Sequence, residues 1–266
     1  IIDAQGNVLD YGAYYLTNSE KLKQEAQKKL AEKIRKFNVT LLSIGNGTAS
    51  YETEQFASKM IEEEKLDCHY IITNEAGASV YSASKLAIDE LPNLDVTIRG
   101  AVSIARRVQD PLAESVKIDP KSIGVGQYQH DVNQKQLTHT LDQVVESVVN
   151  HVGVELNTAS PAILQHIAGI SGTVAKNIVA FRQENGGFTS RKQLLKVPRL
   201  GPAAFTQCAG FLRLNGAKNP LDNTSVHPES YELAERIIGE LGFTLKDLQD
   251  KSQLEALQVK LPLVDV

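Results

Sequence analysis

The spacing of apolar positions changes character part-way along the chain. In the first hundred or so residues, short apolar runs alternate with longer segments of helical period. Leu22, Ala26, Leu30 and Ile34 recur at four-residue spacing, which predicts an amphipathic helix over roughly Glu20–Phe37. Before it, "NVLDYGAYYL" (7–16) alternates as a strand would. "VTLLSI" (39–44) and "CHYIIT" (68–73) read as short buried strands, each followed by a glycine-bearing loop and a helical pattern. Strands alternating with helices imply a mainly parallel sheet covered on both faces. In such sheets ligands gather at the carboxyl ends of the strands, so the loops carrying Asn46, Glu75 and Gly77 are the places to look.

From "RGAVSIARRVQDPLAE" onward helical patterns take over. Residues 132–152 predict a long helix with Leu137, Leu141, Val144, Val145 and Val148 on one face. The tail from Asn219 opens with loop chemistry, places Pro228 where a first helical turn suits it, and predicts two short helices, the first ending at Gly242. The fold class is therefore α/β followed by all-α.

Within the helical part lies a repeat. Residues 164–181 superpose on 194–211 with a shift of 30, pairing Leu164 with Leu194, Ile167 with Val197, Ile170 with Leu200, Ile178 with Cys208 and Phe181 with Phe211. This reads as two helix-hairpin-helix units with hairpins "AGISG" and "PRLGP". A glycine turn lets backbone approach a phosphate, and the helix that starts there offers free N–H groups and a positive dipole end. Neither hairpin is ideal. Ser171 stands where a second glycine belongs, Arg199 where a first belongs, and Pro202 withdraws one N–H donor. Candidate nucleic-acid contacts are Gly169, Ile170, Ser171, Gly172, Thr173 and Lys176 in the first unit. Lys196, Arg199, Leu200, Gly201 and Ala203 are their counterparts in the second. The competing reading is that both turns merely join packed helices.

Charge favours the first reading. Residues 159–218 hold eight Lys/Arg against one acid, Glu184, on a chain whose net charge is −4. Such asymmetry is the footprint of a local polyanion site on an acidic scaffold. The two cysteines, Cys68 and Cys208, lack CxxC spacing and predict free thiols in a cytoplasmic protein. The six histidines show no metal-ligand spacing, and no run approaches the length of a membrane span, so no metal, no cofactor and no membrane are expected. The chain begins "IIDAQGNVLD" with no signal peptide and no initiator Met, which suggests an excerpt of a longer protein.

Several blocks together resemble a known family. "SIGNGTAS", "NEAGASVYSAS", "RGAVSIARR", "VKIDPKSIGVGQYQHDV", "VGVELNTAS", "AGFLR" and "VHPESY" are similar to the bacterial Tex proteins, the transcription accessory family, over nearly the whole chain. Tyr51 departs from the family, where an Arg is expected. The resemblance implies a YqgF-type domain of the RNase H-like fold over 1–112, its first strand missing. Helix-hairpin-helix modules over 113–218 and a helical extension over 219–266, leading toward an absent OB-fold, complete the implied order. The implied function is nucleic-acid binding, to RNA or DNA, with RNA polymerase or other transcription machinery as a further partner. Nucleases of the RNase H-like type use two metal ions held by several acids. Here only Glu75 lies where such an acid is expected, so the YqgF part reads as a non-catalytic scaffold. A metal-dependent nuclease and a protein-interaction platform are the alternatives.

Overall fold

The computed structural model describes residues 1–15 and 19–260. The chain divides into two compact units, Ile1–Val132 and Asn133–Val266.

In the first unit, α1 (Glu20–Lys36) carries Glu20 in its first turn and Lys33, Arg35 and Lys36 in its last, as its dipole favours. β1 (Leu41–Gly45), α2 (Ser50–Glu63) and β2 (His69–Thr73) follow. The two strands pair in parallel, from Leu41 with His69 to Gly45 with Thr73. Ala31 and Ile34 of α1 meet Met60, Leu66 and Cys68 in one core cluster, with Leu30, Val39, Leu42 and Phe56 packed against it. The expected single helix after β2 is instead α3 (Ala78–Ala83) and α4 (Lys85–Glu90), broken at Ser84. Ser84 adopts ψ 156° and its hydroxyl accepts from the Ala87 amide, so a serine inside the apolar pattern restarts the helix. Next, α5 (Val96–Gln109) is capped by Asp95, and α6 (Pro111–Ser115) by Asp110. Beyond α6, Lys117 bonds Glu114 at 2.6 Å and Glu90 at 3.1 Å, while Ser103 of α5 donates to Glu114 at 3.0 Å. This buried ionic cluster fastens the segment after α6 to the unit.

The second unit opens with α7 (Gln134–Val152), β3 (Val154–Glu155) and α8 (Pro161–Leu164). It continues with α9 (Gly172–Asn185), α10 (Pro202–Cys208) and β4 (Leu212–Arg213), and closes with α11 (Tyr231–Glu240) and α12 (Lys251–Lys260). β3 and β4 pair in parallel, so the chain on either side of the repeat is tied together. Gly153, at φ +80°, makes this possible: a β-carbon there would lie 2.6 Å from the Arg213 guanidinium carbon.

Four expectations from periodicity are corrected in whole or in part. The proposed strand over 7–16 is, within the described residues, only an isolated antiparallel bridge between Ile2 and Val8, and Leu16 lies outside them. Among the described residues β2 is not buried on both faces, since Tyr70, Ile71 and Ile72 are exposed. On α7 the expected face holds in part: Leu137, Leu141 and Val145 are half-buried and Val149 is fully buried, whereas Val144 and Val148 are exposed. Similarly, Leu22 of α1 faces solvent and the smaller Ala26 and Ala31 face inward.

Candidate nucleic-acid interface

The 30-residue repeat is a repeat of packing. Leu164 and Leu194 are both 0% exposed, as are Ile178 and Cys208, and Ile167, Val197, Ile170 and Leu200 are all buried. Ile170 and Leu200 therefore anchor their turns to the core, and only their backbones could meet a ligand. The turns match bond for bond. The Ile170 amide donates to the Ile167 carbonyl at 3.0 Å, and that of Leu200 to Val197 at 3.1 Å. Burial pushes the Cys208 thiol up to about 12, so it acts as a small apolar side chain.

Each hairpin is braced from across the repeat. Asn177 of α9 donates to the Pro198 carbonyl at 2.8 Å. At the equivalent position of α10, Gln207 packs so closely on Gly169 that a β-carbon there would lie 2.8 Å from its own. The first hairpin is also clamped by Asn150 of α7, which donates to His166 O at 2.9 Å and accepts from Ala168 N at 3.1 Å. Burial lowers the His166 pKa, opposed by Asp142 and Glu146, so this ring is neutral near pH 7 and adds no charge to the hairpin.

The glycines have different reasons. Gly169 needs its left-handed φ of +80°, and Arg199, its counterpart, holds φ +67°. A side chain in that region costs about 1–2 kcal/mol, so arginine is a poor choice for the turn itself. Gly172 and Gly201 are unlike both. Neither has a left-handed φ, a β-carbon at Gly201 would meet nothing within 4 Å, and one at Gly172 only Gln165 Oε1 at 3.7 Å. The fold does not require glycine at either place.

Amides are left over at both helix starts. Ser171 caps α9 by accepting from the Val174 amide at 3.3 Å, but the amides of Gly172 and Thr173 have no partner among the described residues. In the second hairpin Pro202 has no N–H, and those of Gly201 and Ala203 are without a partner there. Gly169, Gly172, Thr173, Gly201 and Ala203 are all exposed.

The basic stretch sorts into two groups. Lys176, Lys192, Lys196, Arg199 and Lys218 are exposed. Three arginines are instead structural. Arg182 donates to the carbonyls of Leu156 and Ala159, Arg213 to that of Gly210, and Arg191 is 1% exposed. Burial lowers the pKa of Arg182, and that of Arg213 with help from the charge of Arg191. A charge count along the sequence cannot separate the groups, because the partners are backbone carbonyls.

A third hairpin lies outside the 30-residue repeat. Gly242, at φ +82°, follows α11, and Thr244 then starts a short 3-10 turn, Leu245–Gln249. Here the amide and hydroxyl of Thr244 already bond Asp247, at 2.7 and 2.8 Å. Asp247 and Thr244 thus form a capping box at this helix start.

In the first unit, Glu75 sits beyond β2 as expected, with Asn46 Oδ1 accepting from its amide at 3.0 Å. Among the described residues, no group of three or more His, Cys, Asp or Glu side chains gathers as a metal site would. No described helix is long and apolar enough to cross a membrane.

Comparison with known proteins agrees with these features. Residues 1–109 match the Tex protein YqgF-like domain, 149–213 a helix-hairpin-helix motif, and 219–263 an HHH domain. Protein YhgF of Escherichia coli is 56% identical over 253 residues, which cover 95% of this chain and 32% of that protein. The transcriptional accessory protein Tex of Neisseria gonorrhoeae is 53% identical over 249 residues, 93% of this chain and 32% of its own length. The human S1 RNA-binding domain-containing protein 1 is 45% identical over 273 residues, 82% of this chain and 27% of that protein. The chain thus spans about a third of the length of the curated relatives it matches.

Proposed function

The chain belongs to the Tex family, and from that premise we propose that it binds nucleic acid through the phosphate backbone, using the first two hairpins, without reading sequence. The observation that carries this is the pairing of unneeded glycines with unpartnered amides at Gly172 and Gly201. A side chain would fit both positions, so its absence leaves backbone open to an approaching phosphate. Arg199 agrees, as a charged side chain kept in a strained position at the hairpin tip. Phosphates carry no sequence information, so affinity should be nearly the same for unrelated sequences of one nucleic-acid type.

Salt tests it. Log affinity against log salt should fall by about 0.7–0.9 for each phosphate neutralised. Lys176→Ala and Arg199→Ala should each flatten that slope by roughly one unit. Arg182→Ala should not, because its guanidinium is engaged with carbonyls. Equal effects from all three would place the footprint elsewhere.

The YqgF-like unit acts as a non-catalytic scaffold in this reading. Among the described residues Glu75 belongs to no group of three or more His, Cys, Asp or Glu side chains such as two-metal chemistry needs. With Mg²⁺ or Mn²⁺, labelled RNA and DNA strands should remain intact. Cleavage that disappears in Glu75→Ala would overturn this part alone.

A further inference from the structure

A cavity of ≈ 360 Å³ opens where the carboxyl ends of β1 and β2 meet α2 and α5. Its wall includes Ser43, Gly45, Gly47, Ser50, Glu75 and Ile104. Glu75 is half-buried, and among the described residues its carboxylate accepts no hydrogen bond and makes no ion pair. Its placement is nonetheless tightly defined. A β-carbon on Gly45 would lie 2.1 Å from Oε2, and one on Gly47 would lie 2.0 Å from Oε1. The two glycines therefore make room for the two oxygens. Asn46, between them, holds the Glu75 amide.

Two other hydroxyls of the wall are already satisfied. The Ser43 hydroxyl bonds Thr73 and the Ile104 carbonyl, and that of Thr53 donates to Ala49 O. Arg107 donates to Asn74 O through Nη1, its buried Nε and Nη2 have no partner among the described residues, and its guanidinium feels the charges of Glu114 and Glu75. Glu75 thus presents a pair of acceptor oxygens, fixed side by side, beside the hydroxyls of Thr48 and Ser50 and next to the apolar surface of Ile44, Ala101 and Ile104. A partly buried carboxylate without donors is unfavourable, so a ligand that supplies them gains from filling the site. Its volume falls in the range of small-molecule sites.

We propose that this cavity takes an unpaired guanine base, whose ring N–H and adjacent exocyclic amine donate to the two oxygens of Glu75. Guanine presents two parallel donors on a flat ring with apolar faces, whereas adenine offers one donor beside an acceptor. The same edge is engaged by base pairing in a duplex, so the site selects a single strand or a free nucleotide. The choice of a base over an arginine side chain, which also has paired donors, rests on the nucleic-acid reading above.

The full 266-residue chain is titrated with GMP, IMP and AMP by calorimetry, without divalent metal. GMP should bind about tenfold or more tightly than AMP, with IMP, which lacks the exocyclic amine, between them. A single-stranded oligonucleotide with one guanine should compete with GMP; the same strand paired to its complement should not. Competition by neither strand would restrict the site to free nucleotides. Glu75→Gln offers one acceptor and one donor, so it should lose GMP and gain AMP, a swap that a structural role would not produce. Gly47→Ala, which must push the carboxylate aside, should lose the preference without the swap. Equal affinity for GMP and AMP, tighter binding of N-acetylargininamide, a requirement for Mg²⁺, or unchanged preference in Glu75→Gln would each overturn the proposal. Any phosphate contact at the hairpins is the same for GMP, IMP and AMP and cancels from the preference among them. Failure of hairpin binding in the salt titration would therefore leave this result standing, and the reverse also holds.

Discussion

A Gly172→Val, Gly201→Val double variant should melt within about 4 °C of the parent chain and lose about tenfold or more in affinity for nucleic acid. Stability is spared because neither position has a left-handed φ, and a side chain at each would enter nearly open space. Substitutions at such sites usually stay within about 1 kcal/mol. Binding is not spared, because an isopropyl group would stand beside the unpartnered amides of Gly172 and Thr173, and of Gly201 and Ala203. Those hydrogen bonds to a charged oxygen are worth roughly 1.5–3 kcal/mol each. Gly169→Val is the contrasting control. It forces a side chain into φ +80° and against Gln207, so it should lower the melting temperature whether or not the hairpin binds anything. Melting curves and filter binding on the same preparations separate the two effects. Unchanged affinity in a folded double variant would mean that the hairpins only join helices.

The contrast among these glycines was hidden in the sequence. Periodicity and the 30-residue shift revealed the repeat, since core positions such as Leu164 and Leu194 must stay apolar in both copies. The parallel pair β1–β2 and the helix Glu20–Lys36 were legible for the same reason. Which glycine serves a left-handed turn and which serves open space depends on backbone angles and on neighbours such as Gln207, 38 residues away along the chain from Gly169. The third hairpin was missed because its sequence, "ELGFT", lacks the paired apolar register of the other two. Its αL glycine at 242 was the available signal, read only as a helix end. The faces of α7, in part, and of β2 were misjudged because periodicity shows that a face is apolar and not whether anything packs on it.

The largest loss of stability should follow from Arg191→Ala. In the sequence this residue counts toward a basic surface, but it is 1% exposed. Its Nε donates to Leu212 O at 2.9 Å and its Nη1 to Val226 O at 2.8 Å, while Nη2 donates to Thr224 O. Nη1 also reaches the Tyr231 hydroxyl at 2.9 Å, which in turn donates to Asp222 at 2.6 Å. One side chain therefore joins the helix-hairpin-helix motif to the HHH domain that follows. Burial, the bond to Asp222 and that carboxylate's charge raise the Tyr231 pKa, while the positive charge of Arg191 opposes the rise. Removing the guanidinium takes the donor from the Thr224 and Val226 carbonyls, leaves Leu212 O with only its 3.5 Å bond from Arg213, and removes the positive charge beside Tyr231, which bonds the buried Asp222. Breaking a buried charged network in this way costs about 3–5 kcal/mol, against about 0.5 kcal/mol for a surface change such as Lys192→Ala. Arg191→Lys should recover little, because a single ammonium cannot span donors that a planar guanidinium reaches in three directions. Urea unfolding followed by circular dichroism reads the loss. The salt slope of binding, measured on the folded fraction, should be unchanged. An Arg191→Ala chain that unfolds like the parent yet binds with a flatter slope would put this arginine at the phosphate surface instead.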